Sequence, residues 1–220
     1  MDHLDRYSFD TGYLVVENAL SPEQVQHMRA VIEEHGVEGG PTVDEQRFGW
    51  HGELLTWDQA FRDVIDHPVV LDALAAFIGP QVRLDNAYGI VMEPGTEGVG
   101  LHGPAQPYDP AQYFRHEGGI TRTGMLGFGW ALDDTPDDGG GFGCIAGSHL
   151  ISTPPPAGAE NLVHPVKQQA GSLLIFTEAL WHRTMPWNGR PRRLALFYKY
   201  AAGTIQFDAA QPSQRSRRTS

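Results

Sequence analysis

Gly171-Ser172-Leu173-Leu174-Ile175-Phe176, then Trp181-His182, then Arg192-Arg193-Leu194-Ala195-Leu196-Phe197-Tyr198 is the stretch that decides the fold. Two short apolar runs are separated by polar residues, Pro and Gly, and each is the length of a strand rather than a helix. The same texture extends back to Val82, where short apolar runs alternate with Gly, Pro and Asp. This is the pattern of a closed or two-sheet antiparallel β architecture. Strands are expected at Val82 to Asn86, Tyr88 to Met92, Gly124 to Leu132, Gly143 to Ala146, Ser172 to Thr177 and Arg193 to Tyr200. Asp133 to Gly141 reads as a long solvated loop, because it contains Pro136 and three glycines.

Helical signals fill the N-terminal third. Ser21-Pro22-Glu23-Gln24 combines an N-cap Ser, a Pro at the first helical position and a Gln placed for a capping box, and Gly36 supplies the stop. A helix over Pro22 to His35 follows, with Val25, Met28 and Ile32 as its apolar stripe. A second helical region, Trp57 to Ile78, is broken near Pro68 and ended by Gly79-Pro80.

Composition sets the outer bounds. The 220 residues carry 27 acidic and 16 basic side chains, a formal net charge of −11, and 40% are hydrophobic. A chain of this size buries roughly 70% of its extended surface, enough for one core without staples. The negative balance disfavours nucleic acid as a partner, since a phosphate backbone rewards concentrated Lys and Arg. Cys144 is the only cysteine, so no intramolecular disulfide is possible. No apolar run suits a membrane span or an export signal, which leads to a cytoplasmic expectation. One domain over 1–207 and a polar, flexible tail over 208–220 are expected, and oligomeric state is not legible.

Chemistry enters through residue order. His102 follows an apolar segment and Pro94-Gly95, His182 lies 80 residues later, and Arg193 follows after 11 more. Two imidazoles from strand ends meeting at the mouth of a β-roll can hold a first-row metal such as iron. A guanidinium on the next strand, aimed inward, can fork onto a carboxylate, and the Thr184 hydroxyl can join it. A dicarboxylate that would suit both is 2-oxoglutarate. Trp181, next to His182, and His116, in a polar loop, are candidate substrate contacts for a small molecule. Cys144 has no neighbouring base in the sequence and reads as a small buried hydrophobe. His51 and His164 read as surface residues.

In these features the chain resembles the phytanoyl-CoA dioxygenase family of iron(II)- and 2-oxoglutarate-dependent oxygenases. The likeness runs from Gly12-Tyr13-Leu14-Val15-Val16 and the Ser21-Pro22 helix, through Gly139-Gly140-Gly141-Phe142-Gly143 and Gly147-Ser148-His149, to the Arg193 strand. It implies a double-stranded β-helix, a jelly roll of the cupin kind, with N-terminal helices. It also implies His102 and His182 as iron ligands, and Arg193 with Thr184 as 2-oxoglutarate anchors, Arg192 being the fallback for Arg193. The implied activity is oxidation of an unactivated C–H bond, hydroxylation or a related outcome, with 2-oxoglutarate converted to succinate and carbon dioxide.

The chain departs from that family at one position. The family's first motif is His-x-Asp or His-x-Glu, whereas here it is His102-Gly103-Pro104. Four readings stay open: Asp109 or Glu117 supplies the carboxylate; chloride binds in the vacated place, as in the aliphatic halogenases of the superfamily; the site works with two histidines and water; or the scaffold is a catalytically inactive binding module.

Overall fold

A computed structural model describes residues 9–40, 42–104, 109, 112–135, 140–188 and 191–204. The expected C-terminal tail, and with it the domain boundary at 207, lies outside the described residues. Twelve strands are named: β1 (Tyr13–Val16), β2 (Arg47–Phe48), β3 (Val82–Met92), β4 (Val99–His102), β5 (Phe114–Glu117), β6 (Ile120–Thr123), β7 (Met125–Ala131), β8 (Gly141–Cys144), β9 (His164–Pro165), β10 (Leu173–Thr177), β11 (His182–Met185) and β12 (Arg193–Ala202). They form a six-stranded sheet in the order β1-β10-β7-β12-β3-β2, a four-stranded sheet in the order β4-β11-β8-β9, and the hairpin β5-β6. Every pairing between them is antiparallel. The two main sheets face each other as a double-stranded β-helix.

Helices α1 (Pro22–Glu34), α2 (Gln59–Asp63) and α3 (Pro68–Phe77) cover the outer face of the large sheet. Both halves of the expected capping box of α1 form: the Ser21 hydroxyl accepts from the Gln24 N–H, and the Ser21 N–H donates to Gln24 Oε1 at 2.8 Å. The second helical region splits as Pro68 requires, with Asp58 capping α2 and Pro68 opening α3.

Two cores follow from strand parity. Outward-facing Phe128, Trp130, Leu196 and Tyr198 pack with Met28, Ile32, Phe61, Leu74 and Phe77 of the helices. Two tyrosines fasten that layer, Tyr198 donating to the Phe61 carbonyl at 2.8 Å and Tyr200 to the Ile65 carbonyl at 2.6 Å. The inward-facing set, Tyr88, Ile90, Met92, Phe142, Cys144, Leu174, Phe176, Ala195 and Phe197, fills the space between the sheets. Because both faces are covered, β7 is buried from end to end. Its inward Gly127 exists to make room: a Cβ there would sit 2.3 Å from the Phe176 ring.

Several expectations need correction. Val82 to Met92 is one strand, continuous through Ala87, because β12 pairs along its whole length. Asp133 is no solvated turn residue: its carboxylate pairs with Arg29 and accepts from the Leu194 N–H at 2.7 Å, tying α1 to β12. Gly141 begins a strand rather than ending a loop. His164 is half-buried in β9, where it bonds the Tyr13 hydroxyl at 3.2 Å. It also approaches the Cys144 sulfur at 3.9 Å, so the thiol does have a base nearby. Burial still pushes that thiol up to about 12, which keeps it unreactive. Among the described residues no helix is long and apolar enough to cross a membrane.

Candidate metal and cosubstrate site

The histidine pair is built by register. β11 and β4 align so that His182 and His102 are direct cross-strand partners, and such partners project to the same face. Their ring centroids lie 4.3 Å apart with the planes tilted by 58°. Each ring is fixed by the same local device. His102 Nδ1 is 2.8 Å from the Gly100 carbonyl, and His182 Nδ1 is 2.7 Å from the Leu180 carbonyl. A carbonyl only accepts, so both Nδ1 atoms carry the proton and both Nε2 atoms keep a free lone pair. His182 is buried against Phe176 and Phe142, while His102 stands at the exposed rim. Burial, aided by the charge of His102, pushes His182 down to about 3, and His102 is lowered too, chiefly by desolvation. Two neutral imidazoles at neutral pH are the protonation state a metal requires.

Further along the same chamber, register places Thr184 opposite Phe142 of the inner core. Arg193 follows, one residue into β12 and facing inward, only 2% exposed. Its guanidinium meets the Met92 sulfur at 3.8 Å, and among the described residues no carboxylate lies within ion-pair distance. The charge has been taken out of water without a counter-ion, and burial lowers the group to about 10 despite the more distant Asp133. Gly141, at φ 70°, lets the guanidinium in: a Cβ there would stand 3.0 Å from Arg193 Nε. Strand alternation turns Arg192 the other way, onto Glu33 at 2.5 Å and the Val37 carbonyl at 2.9 Å. Arg192 is therefore engaged at the α1 side and does not serve as the fallback anchor.

The expected third ligand does not join the histidines. Glu117 is on the β5-β6 hairpin with its side chain 80% exposed, paired loosely with Arg115. Among the described residues, Asp109 included, no three His, Cys, Asp or Glu side chains group as a metal-holding set. Trp181 lies flat against Gly103, where an added Cβ would meet its ring at 2.6 Å, so it walls the histidine pair rather than leaving it. His116 bonds Thr121 Oγ1 at 2.9 Å and lines a separate cleft of about 630 Å³ beside Phe77, Phe114 and His149. Neither metal-candidate histidine borders that cleft.

Two charged groups that sequence reading missed stand in the chamber. Glu178, buried at the end of β10, pairs with Lys199 of β12 at 3.0 Å. Burial alone would raise the carboxyl, but Lys199 and the two histidines hold it below the usual carboxylate range. The second is Arg47 of β2. A Glu four residues before His182 and a Lys inside an apolar strand were the available signals; nothing marked Arg47.

Residues 9–194 match the family model for phytanoyl-CoA dioxygenase. The chain belongs to the phytanoyl-CoA dioxygenase family. The family fold is also seen in solved structures. HygX from Streptomyces hygroscopicus, with nickel and 2-oxoglutarate bound, superposes with a TM-score of 0.80 at 19% identity, over 94% of this chain and 89% of that one. SnoK, an alpha-ketoglutarate-dependent carbocyclase from nogalamycin biosynthesis, gives 0.70 at 19% identity over 100% and 91%. The dioxygenase af480 of Aspergillus fumigatus is 25% identical over 127 residues, 57% of this chain. Those residues amount to only 39% of af480, so this family member spans a fraction of that relative's length.

Proposed function

We propose that the protein is an iron(II)- and 2-oxoglutarate-dependent oxygenase acting on a C–H bond of a small molecule. The observation that carries this reading is Arg193, a guanidinium without a counter-ion, buried on the chamber wall that also presents two ring nitrogens with free lone pairs. The donor set fits the cofactors: His102 Nε2 and His182 Nε2 would hold the metal, and Arg193 with the Thr184 hydroxyl would hold the distal carboxylate of 2-oxoglutarate. Bound there, the metal and cosubstrate would supply oxygen activation, with 2-oxoglutarate becoming succinate and carbon dioxide.

The chain's own residues do the positioning. The Gly100 and Leu180 carbonyls orient the imidazoles. Phe142 and Phe176 press on His182 and keep water from its inner side. Gly141 leaves the space through which Arg193 reaches an anion. HygX, solved with nickel and 2-oxoglutarate, supports the assignment by likeness of fold.

The missing third ligand favours a second reading, in which an external anion such as chloride takes the vacant coordination place and the product is halogenated. Product mass in chloride against chloride-free buffer separates the two. Anaerobic addition of iron(II) and 2-oxoglutarate should give a visible charge-transfer band, and air should then give succinate. Both should vanish in His182→Ala. A wild-type protein that shows neither band nor succinate is a binding module, and the oxygenase reading is then wrong.

A further inference from the structure

The chamber holds more positive charge than a metal and 2-oxoglutarate account for. Lys199 is matched by Glu178. Arg193 has the distal carboxylate of 2-oxoglutarate as its partner under the proposal above. Arg47 is left over. It sits on β2, the edge strand, directly opposite Ile90 of the inner core. Its guanidinium carbon lies 4.7 Å from the Trp50 ring and 5.2 Å from the Tyr88 ring. Two aromatic faces hold the guanidinium in place without neutralising it. Among the described residues Nε is buried with no hydrogen-bond partner, and no carboxylate comes within ion-pair distance. The residue as a whole is only partly buried, so a ligand can reach its fork.

Arg47 faces the same chamber as the histidines. Tyr88, beneath it, stacks on Phe197 at 5.8 Å within the layer between the sheets. Its charge acts on both His102 and Lys199. The missing acid at Pro104 works in the same direction, since a two-histidine metal retains more positive charge than one with a carboxylate. In a chain of formal charge −11 this local surplus is specific to the chamber.

We infer that Arg47 is a substrate anchor, and that the substrate is a small organic oxyanion, a carboxylate or a phosphate, whose apolar body lies along Trp50 and Tyr88. The inference rests on the oxygenase reading for its assignment of Arg193, and it adds the substrate class. A planar fork held between aromatic faces presents its N–H edge to a bidentate oxyanion.

The test uses the full chain with nickel(II) and 2-oxoglutarate, and probes matched in shape: hexanoate against hexanamide, phenylacetate against phenylacetamide, and phenyl phosphate. Calorimetry should show one of the anions binding about tenfold or more tighter than its neutral counterpart, as expected for a charge-assisted hydrogen bond. Arg47→Gln should lose that preference, and Arg47→Lys should keep part of it. The affinity for 2-oxoglutarate should not change, and thermal melts of each variant verify folding. Equal binding of acid and amide, a preference that survives in Arg47→Gln, or no binding of any probe overturns the inference. If Arg47→Gln instead loses 2-oxoglutarate, Arg47 is a cosubstrate anchor and the inference fails while the oxygenase reading stands. If the wild type does not take up 2-oxoglutarate, the oxygenase reading fails. The same probes on metal-free protein then decide Arg47, with a retained anion preference supporting the anchor and its absence refuting it.

Discussion

Arg193→Met separates function from stability at one position. In the folded chain the guanidinium is lowered from 12.5 to about 10 by burial. At 1.36 kcal/mol per unit this is about 3 kcal/mol of cost to the charged form. The sign is constant across working pH: the group is charged in both folded and unfolded chains below about 10, so the penalty applies throughout. Methionine fills similar space without the charge, and replacement of buried ionic groups by apolar ones is stabilising by about 1–4 kcal/mol. Without ligands the variant should therefore melt higher than wild type, by about 2–4 °C per kcal/mol for a chain of this size. Addition of nickel(II) and 2-oxoglutarate at about a hundred times the dissociation constant should stabilise wild type by about 2.7 kcal/mol. It should leave the variant unmoved, so the order of the two melting temperatures narrows or reverses. The assay is differential scanning fluorimetry with urea unfolding as a check. A variant that melts lower without ligand, or that still responds to 2-oxoglutarate, refutes the argument that Arg193 is kept for an anion.

Three further outcomes follow from the same reasoning. Glu178→Gln strands the Lys199 ammonium and should cost about 3–5 kcal/mol in urea unfolding, much of it recovered in the Glu178→Gln/Lys199→Met double variant; additive losses would show that the pair is not coupled. His149 has no hydrogen-bond partner for either ring nitrogen among the described residues, and burial pushes it down to about 4. Its neutral form is favoured by folding, so its contribution is complete above its unfolded value and is lost as pH falls from about 6.5 toward 4. That is about 2 kcal/mol between pH 7 and pH 5, and His149→Leu should flatten the acid limb of the stability curve by that amount. Gly127→Ala drives a methyl to within 2.3 Å of the Phe176 ring, which in turn lies 5.1 Å from His182. A loss of about 1–3 kcal/mol with weakened nickel binding is expected, and unchanged metal affinity would show that Phe176 does not hold the histidine.

The amino-acid sequence by itself determined whatever local chemistry can dictate. The Ser21-Pro22-Gln24 cap makes α1, Pro68 divides the second helical region, and the apolar runs at Met125, Leu173 and Arg193 are strands because nothing else would bury them. The ordered His102, His182 and Arg193 were legible for the same reason, each being a rare residue at the edge of an apolar run. β11 was not legible: His182 to Met185 has no apolar alternation, and its partners on β4 and β8 alone make it a strand. Only the assembled sheets decided that Arg193 faces in and Arg192 out, a parity of one residue that neighbouring strands fix. They also decided that Asp133 holds a helix to a strand, that Glu178 meets Lys199, and that Arg47 lies between two aromatic rings without a counter-ion. Register and cross-strand contact join residues far apart along the chain, and the energies that set them come from burying whole sheet faces rather than from any short run of sequence.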